Sequence, residues 1–328
     1  MLISYKGKSV NTQNYIEISE EDRKRLQVEY YMKPPKEEVI KQIKKINSNG
    51  VKDDKITNYY FKDLMAKTQI KTAKWTVEDV FESKELLGMF KAKTLNNKSV
   101  FPDNKSEIDN IKTAIRLGGK GYAKLPTKFP VKTVKYILSN YNINNNYYDF
   151  SCGWGNRLEG ALALNINYFG TDPNNLLCER LEELNKDWHE NTKTTSSCNI
   201  RPQGSEIYIP EWENTIGIAF SSPPYFDLED YKIGNQSYKE NTSYENWKNN
   251  YLFPTFDNIY KYLINGGILA LNIKNINGYN LLDDSIEYLS QNFNFLCFED
   301  LKNNRRLKST GELGNNDEYI AIFKKAEG

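Results

Sequence analysis

The chain has 328 residues but a single histidine, His189, and its four cysteines, at 152, 178, 198 and 297, form no C-x-x-C pair. That scarcity argues against a Cys/His zinc site, a Ser-His-Asp triad and a Cys-His dyad, and no metal is expected. Long apolar runs are also missing. The most hydrophobic stretch, residues 267–273, suits a buried strand and is far too short to cross a membrane. The N-terminus, Met1-Leu-Ile-Ser-Tyr-Lys, lacks the apolar core of a signal peptide, so a cytoplasmic protein is expected. Any chemistry must rest on backbone groups, carboxylates, hydroxyls and aromatic rings.

Charge is abundant but unevenly spread. Residues 1–148 hold 28 of the 44 basic and 17 of the 43 acidic residues, a balance of +11; the remainder, 16 basic against 26 acidic, carries −10. Lysines scattered over helices often do no more than solubilise them. A split this large also fits a polyanion-binding half joined to a half that binds a small molecule. Lys, Asn, Ile and Tyr are frequent, as in proteins from AT-rich bacterial or viral genomes.

The first hundred residues read as mostly helical, with apolar residues at three-to-four spacing in 37–46 and 75–90 and a helix start at Ser19-Glu-Glu-Asp. Residues 96–105 are polar and turn-rich, and Leu117-Gly-Gly-Lys-Gly is a joint. Pro130 opens a helix over 131–141. Strands and helices then alternate. Strands are expected at 147–151, 168–171, 199–202, 216–220, 268–273, 295–298 and 319–323. Helices are expected at 156–165, 174–188, 244–263 (interrupted near Pro254) and 281–291. Such alternation predicts a mostly parallel sheet covered on both faces, with ligands beyond the carboxyl ends of the strands.

Two motifs sit at such ends. In Asp149-Phe-Ser-Cys-Gly-Trp-Gly155, glycines 153 and 155 permit a sharp turn and close approach of a ligand to the backbone at a helix N-terminus. A second strand ends at Thr171-Asp172-Pro173, where a carboxylate could hold a ribose diol or cap the next helix. The other motif is Ser222-Pro223-Pro224-Tyr225-Phe226. Two successive prolines remove two donors and leave carbonyl groups held outward. A base amino nitrogen is a poor nucleophile, because its lone pair is delocalised. Acceptors around its protons, the Ser222 hydroxyl and the Pro223 carbonyl, could aim that lone pair while Tyr225 stacks on the ring. In isolation, Pro-Pro-Tyr would be only a rigid turn.

Together these strings resemble the amino-methyltransferases of nucleic acids, which carry a D-P-F-x-G-x-G motif and a (D/N/S)-P-P-(Y/F/W) motif. D-F-S-C-G-W-G-N-R-L-E-G-A-L, F-G-T-D-P-N and S-S-P-P-Y-F-D-L are similar in particular to a DNA methylase group of phages and bacteria. The likeness covers residues 147–325 and weakens before 115. It implies an α/β fold with a Rossmann-like, mostly parallel seven-stranded sheet and an antiparallel terminal strand near one edge. A mainly helical N-terminal region (1–115), a possible DNA-binding module, would precede a catalytic domain (116–328). It further implies S-adenosyl-L-methionine as cofactor, with Asp149, Cys152, Gly153 and Gly155 in the cofactor loop and Asp172 on the ribose. Phe129, in Lys128-Phe129-Pro130, would close over the methionine end, and Ser205 would stand near the adenine. Ser222, Pro223, Pro224 and Tyr225 would hold a base flipped out of duplex DNA.

Two departures stand out. Phe150 and Ser151 replace the family's Pro and Phe. The adenine-contacting acid is represented by Gly204-Ser205-Glu206, where Glu206 could equally be a solvated surface acid. Ser at the head of the tetrapeptide resembles the cytosine-N4 enzymes, with adenine-N6 as the alternative. RNA or protein-glutamine methylation, or a non-catalytic nucleic-acid-binding protein on the same fold, are further alternatives. No Pro-Cys exists, so cytosine C5 is not the expected target. Residues 226–241 are either a surface excursion or a lid over the base. The C-terminal cluster Lys302, Arg305, Arg306 and Lys308 is a second place where DNA could be gripped.

Overall fold

The computed structural model describes residues 1–49, 54–95, 98–118, 121–232, 235–276, 278–300, 305–307 and 319–326. Asn96, Asn97, Gly119, Lys120, Ile233, Gly234, Lys302 and Lys308, which belong to segments singled out above, lie outside the described residues.

Strand β1 (Asn146–Asp149) runs parallel to β2 (Asn167–Thr171), and β2 to β3 (Cys198–Arg201). On the other side of β1 lie β4 (Ile216–Ser221) and then β5 (Leu263–Asn272), both parallel to it. Every residue of β4 is buried, as a strand covered by helices on both faces requires. Strands β6 (Phe293–Asp300), β7 (Arg305–Leu307) and β8 (Tyr319–Lys325) complete the sheet in the order 7-6-8-5-4-1-2-3. The terminal strand is inserted antiparallel between β5 and β6, as expected. This is a Rossmann-like α/β fold. The sheet has eight strands rather than seven, because β7 adds a three-residue edge too short for any periodicity to announce. The chain adds strands outward in opposite directions from β1 and β4. The carboxyl ends of those two strands are therefore the switch point at which such sheets bind ligands.

The chain forms two compact units, and each is discontinuous. The first comprises Met1–Pro34, Phe61–Thr127 and Asp227–Lys232; the second comprises Pro35–Tyr60, Lys128–Phe226 and Ile233–Gly328. A single division at residue 115 does not describe this arrangement. Helix Lys36–Asn49 buries Val39, Ile43 and Ile46, and it packs with helix Asn175–Asn191 of the sheet unit, where Lys36 pairs with Asp187. Its apolar stripe is visible in the sequence, but a stripe does not say which unit it faces.

The N-terminal region is mainly helical, as expected, but the first unit also carries strands. A hairpin, Leu2–Tyr5 with Lys8–Asn11, opens it. The helix read over 75–90 is two helices, Val77–Glu82 and Lys84–Leu95. Thr76 and Asp79 form a capping box at the first, and the Ser83 hydroxyl accepts from Leu86 N–H at the start of the second. The interleaving also dissolves most of the charge asymmetry. The first unit holds 20 basic and 16 acidic residues, which leaves 24 and 27 of the totals for the second. Many charges in the first unit are already paired, as in Arg25 with Glu29 and Glu107 at 2.8 and 2.7 Å, and Lys91 with Glu107 at 2.7 Å. No helix among the described residues is long and apolar enough to cross a membrane.

Candidate functional site

The loop after β1 makes the turn its glycines allow. Gly153 (φ +57°) and Gly155 (φ +78°) both occupy the left-handed region, where a side chain would be strained, and Gly155 caps helix Asn156–Ala163. Cys152 stitches this loop to the end of β2, its amide donating to the Thr171 carbonyl at 3.3 Å and its buried thiol lying 3.4 Å from the same oxygen. Burial pushes that thiol's pKa well up, so Cys152 is a packing residue without nucleophilic character.

Asp149, fully buried at the tip of β1, is the hub of the site. Both its oxygens accept from Arg157 Nε at 3.0 Å, Oδ2 accepts from the Tyr168 hydroxyl at 2.9 Å, and Oδ1 from the Ser221 hydroxyl at 2.7 Å. Arg157 Nη2 also donates to the Ser151 carbonyl. Burial alone would lower the arginine's pKa, but Asp149 outweighs it and the guanidinium stays charged. Phe129 lies 5.6 Å above that guanidinium and edge-on to Phe220 at 5.4 Å. Asp149 is thus committed to the protein's own groups, with the glycine loop shaped around it.

Asp172, just past β2, accepts from Asn174 N–H at 3.1 Å, so it does act at the helix start. The cap of that helix itself is Asn174, whose side chain accepts from Leu177 N–H. Burial pushes the Asp172 carboxyl up to about 7, against the opposing N–H groups of Asn174 and Gly153. Ser205 is buried, its hydroxyl 2.9 Å from that of Thr255 and its carbonyl accepting from the Asn258 side chain. Its neighbour Glu206 is no solvated surface acid. Its carboxylate is half-buried, Oε2 is sealed from solvent without a partner, and burial raises its pKa.

Ser221 ends β4 and Ser222 follows it. The first joins the Asp149 network, and the half-buried second leads into Pro223 (buried), Pro224 and Tyr225 (both half-buried). The Tyr225 hydroxyl donates to the main-chain carbonyl of Asn272 at the end of β5, at 3.4 Å. Phe226 follows with φ +50°, an unusual conformation for a bulky residue, and is held there by Tyr279, Trp247 and Tyr244 with ring centroids 5.1, 5.7 and 5.9 Å away. The segment read as an excursion or a lid is neither free nor featureless. Asp227–Lys232 belongs to the first unit, where Glu229–Asp230 pairs with Gln69–Ile70.

Asp149, Cys152, Gly153, Gly155, Asp172 and Phe129 are therefore brought together around one loop. Ser222 to Tyr225 extend from the strand joined to that loop through Ser221, and Ser205 lies buried against Thr255 and Asn258. Sequence reasoning passed over Arg157, Tyr168 and Ser221. Only Arg157 left a signal, as a charge that, with Glu159, stands among Leu158, Ala161 and Leu162 in a helix buried along most of its length. Among the described residues, no group of three or more His, Cys, Asp or Glu side chains is arranged to hold a metal.

No protein-family model and no curated protein matches the chain. Solved structures do. A SAM-dependent O-methyltransferase from Thermotoga maritima is 10% identical, over 62% of this chain and 68% of its own, with a TM-score of 0.40. An rRNA methylase from Streptococcus thermophilus is 13% identical, over 62% and 99%, with a TM-score of 0.39. The N-methyltransferase NodS from Bradyrhizobium japonicum, in complex with S-adenosyl-L-homocysteine, is 12% identical, over 60% and 85%, at 0.39. At such low identity and score, a functional reading must rest on the residues of the site itself.

Proposed function

We propose that the protein is an S-adenosylmethionine-dependent methyltransferase acting on the exocyclic amino group of a nucleic-acid base, with cytosine N4 in DNA as the favoured target. One observation carries this reading. The 2.7 Å bond from Ser221 to Asp149 joins the residue just before the Ser-Pro-Pro-Tyr segment to the residue that leads into the glycine loop, which supports cofactor-type and base-holding chemistry meeting at one switch point.

The residues present suit the cofactor. The left-handed glycines give a loop without Cβ atoms, Asp172 offers a carboxylate for a ribose diol, and Glu206 has an unpartnered oxygen for an amino group such as that of adenine. When bound, the cofactor supplies an electrophilic methyl group. The chain's own part is to orient. The Ser222 hydroxyl and the Pro223 carbonyl accept the amino protons, which localises the nitrogen lone pair, and Tyr225 stacks on the ring. Proton loss follows attack by the nitrogen, so the site needs good acceptors and no strong base. The even charge balance of the two units gives no preference for where nucleic acid is gripped.

The test is direct. DNA and RNA are incubated separately with the protein and methyl-labelled cofactor, digested, and the nucleosides identified by mass. N4-methylcytosine from DNA is the expected product. N6-methyladenine would keep the reaction class and move the target, label only in RNA would move the substrate, and label in neither would overturn the reading.

Asp172 adds a prediction about protons. Its raised pKa means the free folded protein holds a proton that the unfolded chain releases near pH 4, so this group makes stability fall as pH rises from about 4 through 7. Ribose hydroxyls donate to the carboxylate and favour its charged form. Binding at pH 7 should therefore release about half a proton, and affinity should weaken below pH 7. Calorimetry in two buffers of different ionisation enthalpy measures this. Asp172→Asn should abolish the release and, by losing a hydrogen bond to a charged group, weaken binding by about 1.5–3 kcal/mol. Equal proton release in the variant would remove Asp172 from the ribose.

A further inference from the structure

The end of β5 carries a polar side chain that nothing so far explains. Asn272 is 4% exposed, and its Oδ1 is sealed from solvent with no hydrogen-bond partner. A buried carboxamide oxygen without a donor is costly, and a leucine of similar shape would fill the same space without that cost. The position is also telling. In the parallel ladder Leu271 is paired with Ser221, so the register carried one residue further sets Asn272 level with Ser222. Level residues on neighbouring parallel strands project to the same face, about 4.8 Å apart. The same face carries Phe220, level with Ala270, and Phe220 packs against Phe129. Tyr225 bonds the main-chain oxygen of Asn272, so the residue is tied directly to the base-holding segment.

We propose that the Asn272 carboxamide reads the amino-bearing edge of the target base. The inference rests on the base-methylation reading above. Cytosine and adenine each present an amino donor beside a ring-nitrogen acceptor, N4–H beside N3 and N6–H beside N1. A carboxamide offers the complementary pair, its oxygen accepting an amino proton and its nitrogen donating to the ring. Asn272 would then hold the base in plane and share the amino proton beside the ring nitrogen with one acceptor of the neighbouring strand, Ser222 or Pro223, which leaves the second proton to the other. Thymine and uracil, with a carbonyl where the amino group should be, would set oxygen against oxygen.

The test pairs a protein change with a substrate change. Full-length wild type, Asn272→Ala and Asn272→Leu are assayed on an oligonucleotide carrying the base identified by the nucleoside assay. Each is also assayed on the analogue in which the adjacent ring nitrogen is C–H (3-deazacytosine or 1-deazaadenine). For the wild type, the analogue should lower kcat/KM about 10-fold, the loss of one hydrogen bond. Both variants should lose about as much on the natural base and show almost no further loss on the analogue. Cofactor affinity should be unchanged, and Asn272→Leu should melt no lower than wild type. An analogue penalty of the same size in wild type and variants, or unchanged kcat/KM in the variants, would overturn the proposal while leaving base methylation intact. A lower melting temperature for Asn272→Leu would make the residue structural. Failure of the wild type to methylate any base would overturn the parent reading and this one with it.

Discussion

Replacing Arg157 by alanine is expected to cost about 3–5 kcal/mol of stability, because it strands a carboxylate in the interior. Asp149 is fully buried, and its two bonds from Arg157 Nε are what balance its charge. That loss would be a large part of the roughly 5–15 kcal/mol by which a typical domain is stable. Urea unfolding of the sheet unit measures it. Arg157→Lys should recover only part, since an ammonium cannot reproduce the planar guanidinium that serves Asp149 and the Ser151 carbonyl together. The double variant Arg157→Ala/Asp149→Ala should be more stable than the sum of the single losses, because no orphan charge is left. A loss below 1 kcal/mol for Arg157→Ala would mean that Asp149 is satisfied without its arginine. The network would then not be what shapes the glycine loop.

Tyr225→Ala should reduce methyl transfer by roughly 5- to 150-fold, the range for losing one base-stacking ring. Cofactor affinity should hardly change, since the ring lies beyond the Asp149 network. Tyr225→Phe separates the ring from its hydroxyl. The hydroxyl's bond to Asn272 is 3.4 Å long, so the phenylalanine variant should keep most of the activity. Single-turnover rates at saturating cofactor give the comparison. A phenylalanine variant as impaired as the alanine one would assign the effect to the link with β5 and remove stacking from the mechanism.

The parts of this protein that could be read in its sequence are those whose cause is local. Glycines at 153 and 155, Asp172 at a strand end and the Pro-Pro-Tyr segment each act through their own few residues, and β1, β2, β4, β5 and β8 announce themselves as apolar runs. The Asp149 network could not be read, because its partners come from a helix, a second strand and a third strand that only folding brings together. Nor could the surroundings of Ser205 be read, since the Thr255 hydroxyl beside it comes from fifty residues further on. The charge division was an effect of summing along the chain. Counted over the units that actually fold together, it shrinks to +4 and −3.

The interleaving of the two units has a consequence for how the protein is made. Helices Lys36–Asn49 and Lys55–Tyr60 leave the ribosome early, but the sheet they belong to begins only after the 67 residues of Phe61–Thr127. At about 5–20 residues per second, they wait some 3–13 s before even the first of their partners is synthesised. The apolar stripe of Val39, Ile43 and Ile46 is bare for that time. The first unit waits longer still for its last piece, Asp227–Lys232, which is translated after the Ser-Pro-Pro-Tyr segment itself. Neither unit can finish before the Ser-Pro-Pro-Tyr segment exists, so nascent chains that stall upstream of it should be targets for chaperones and proteases rather than stable halves of the protein.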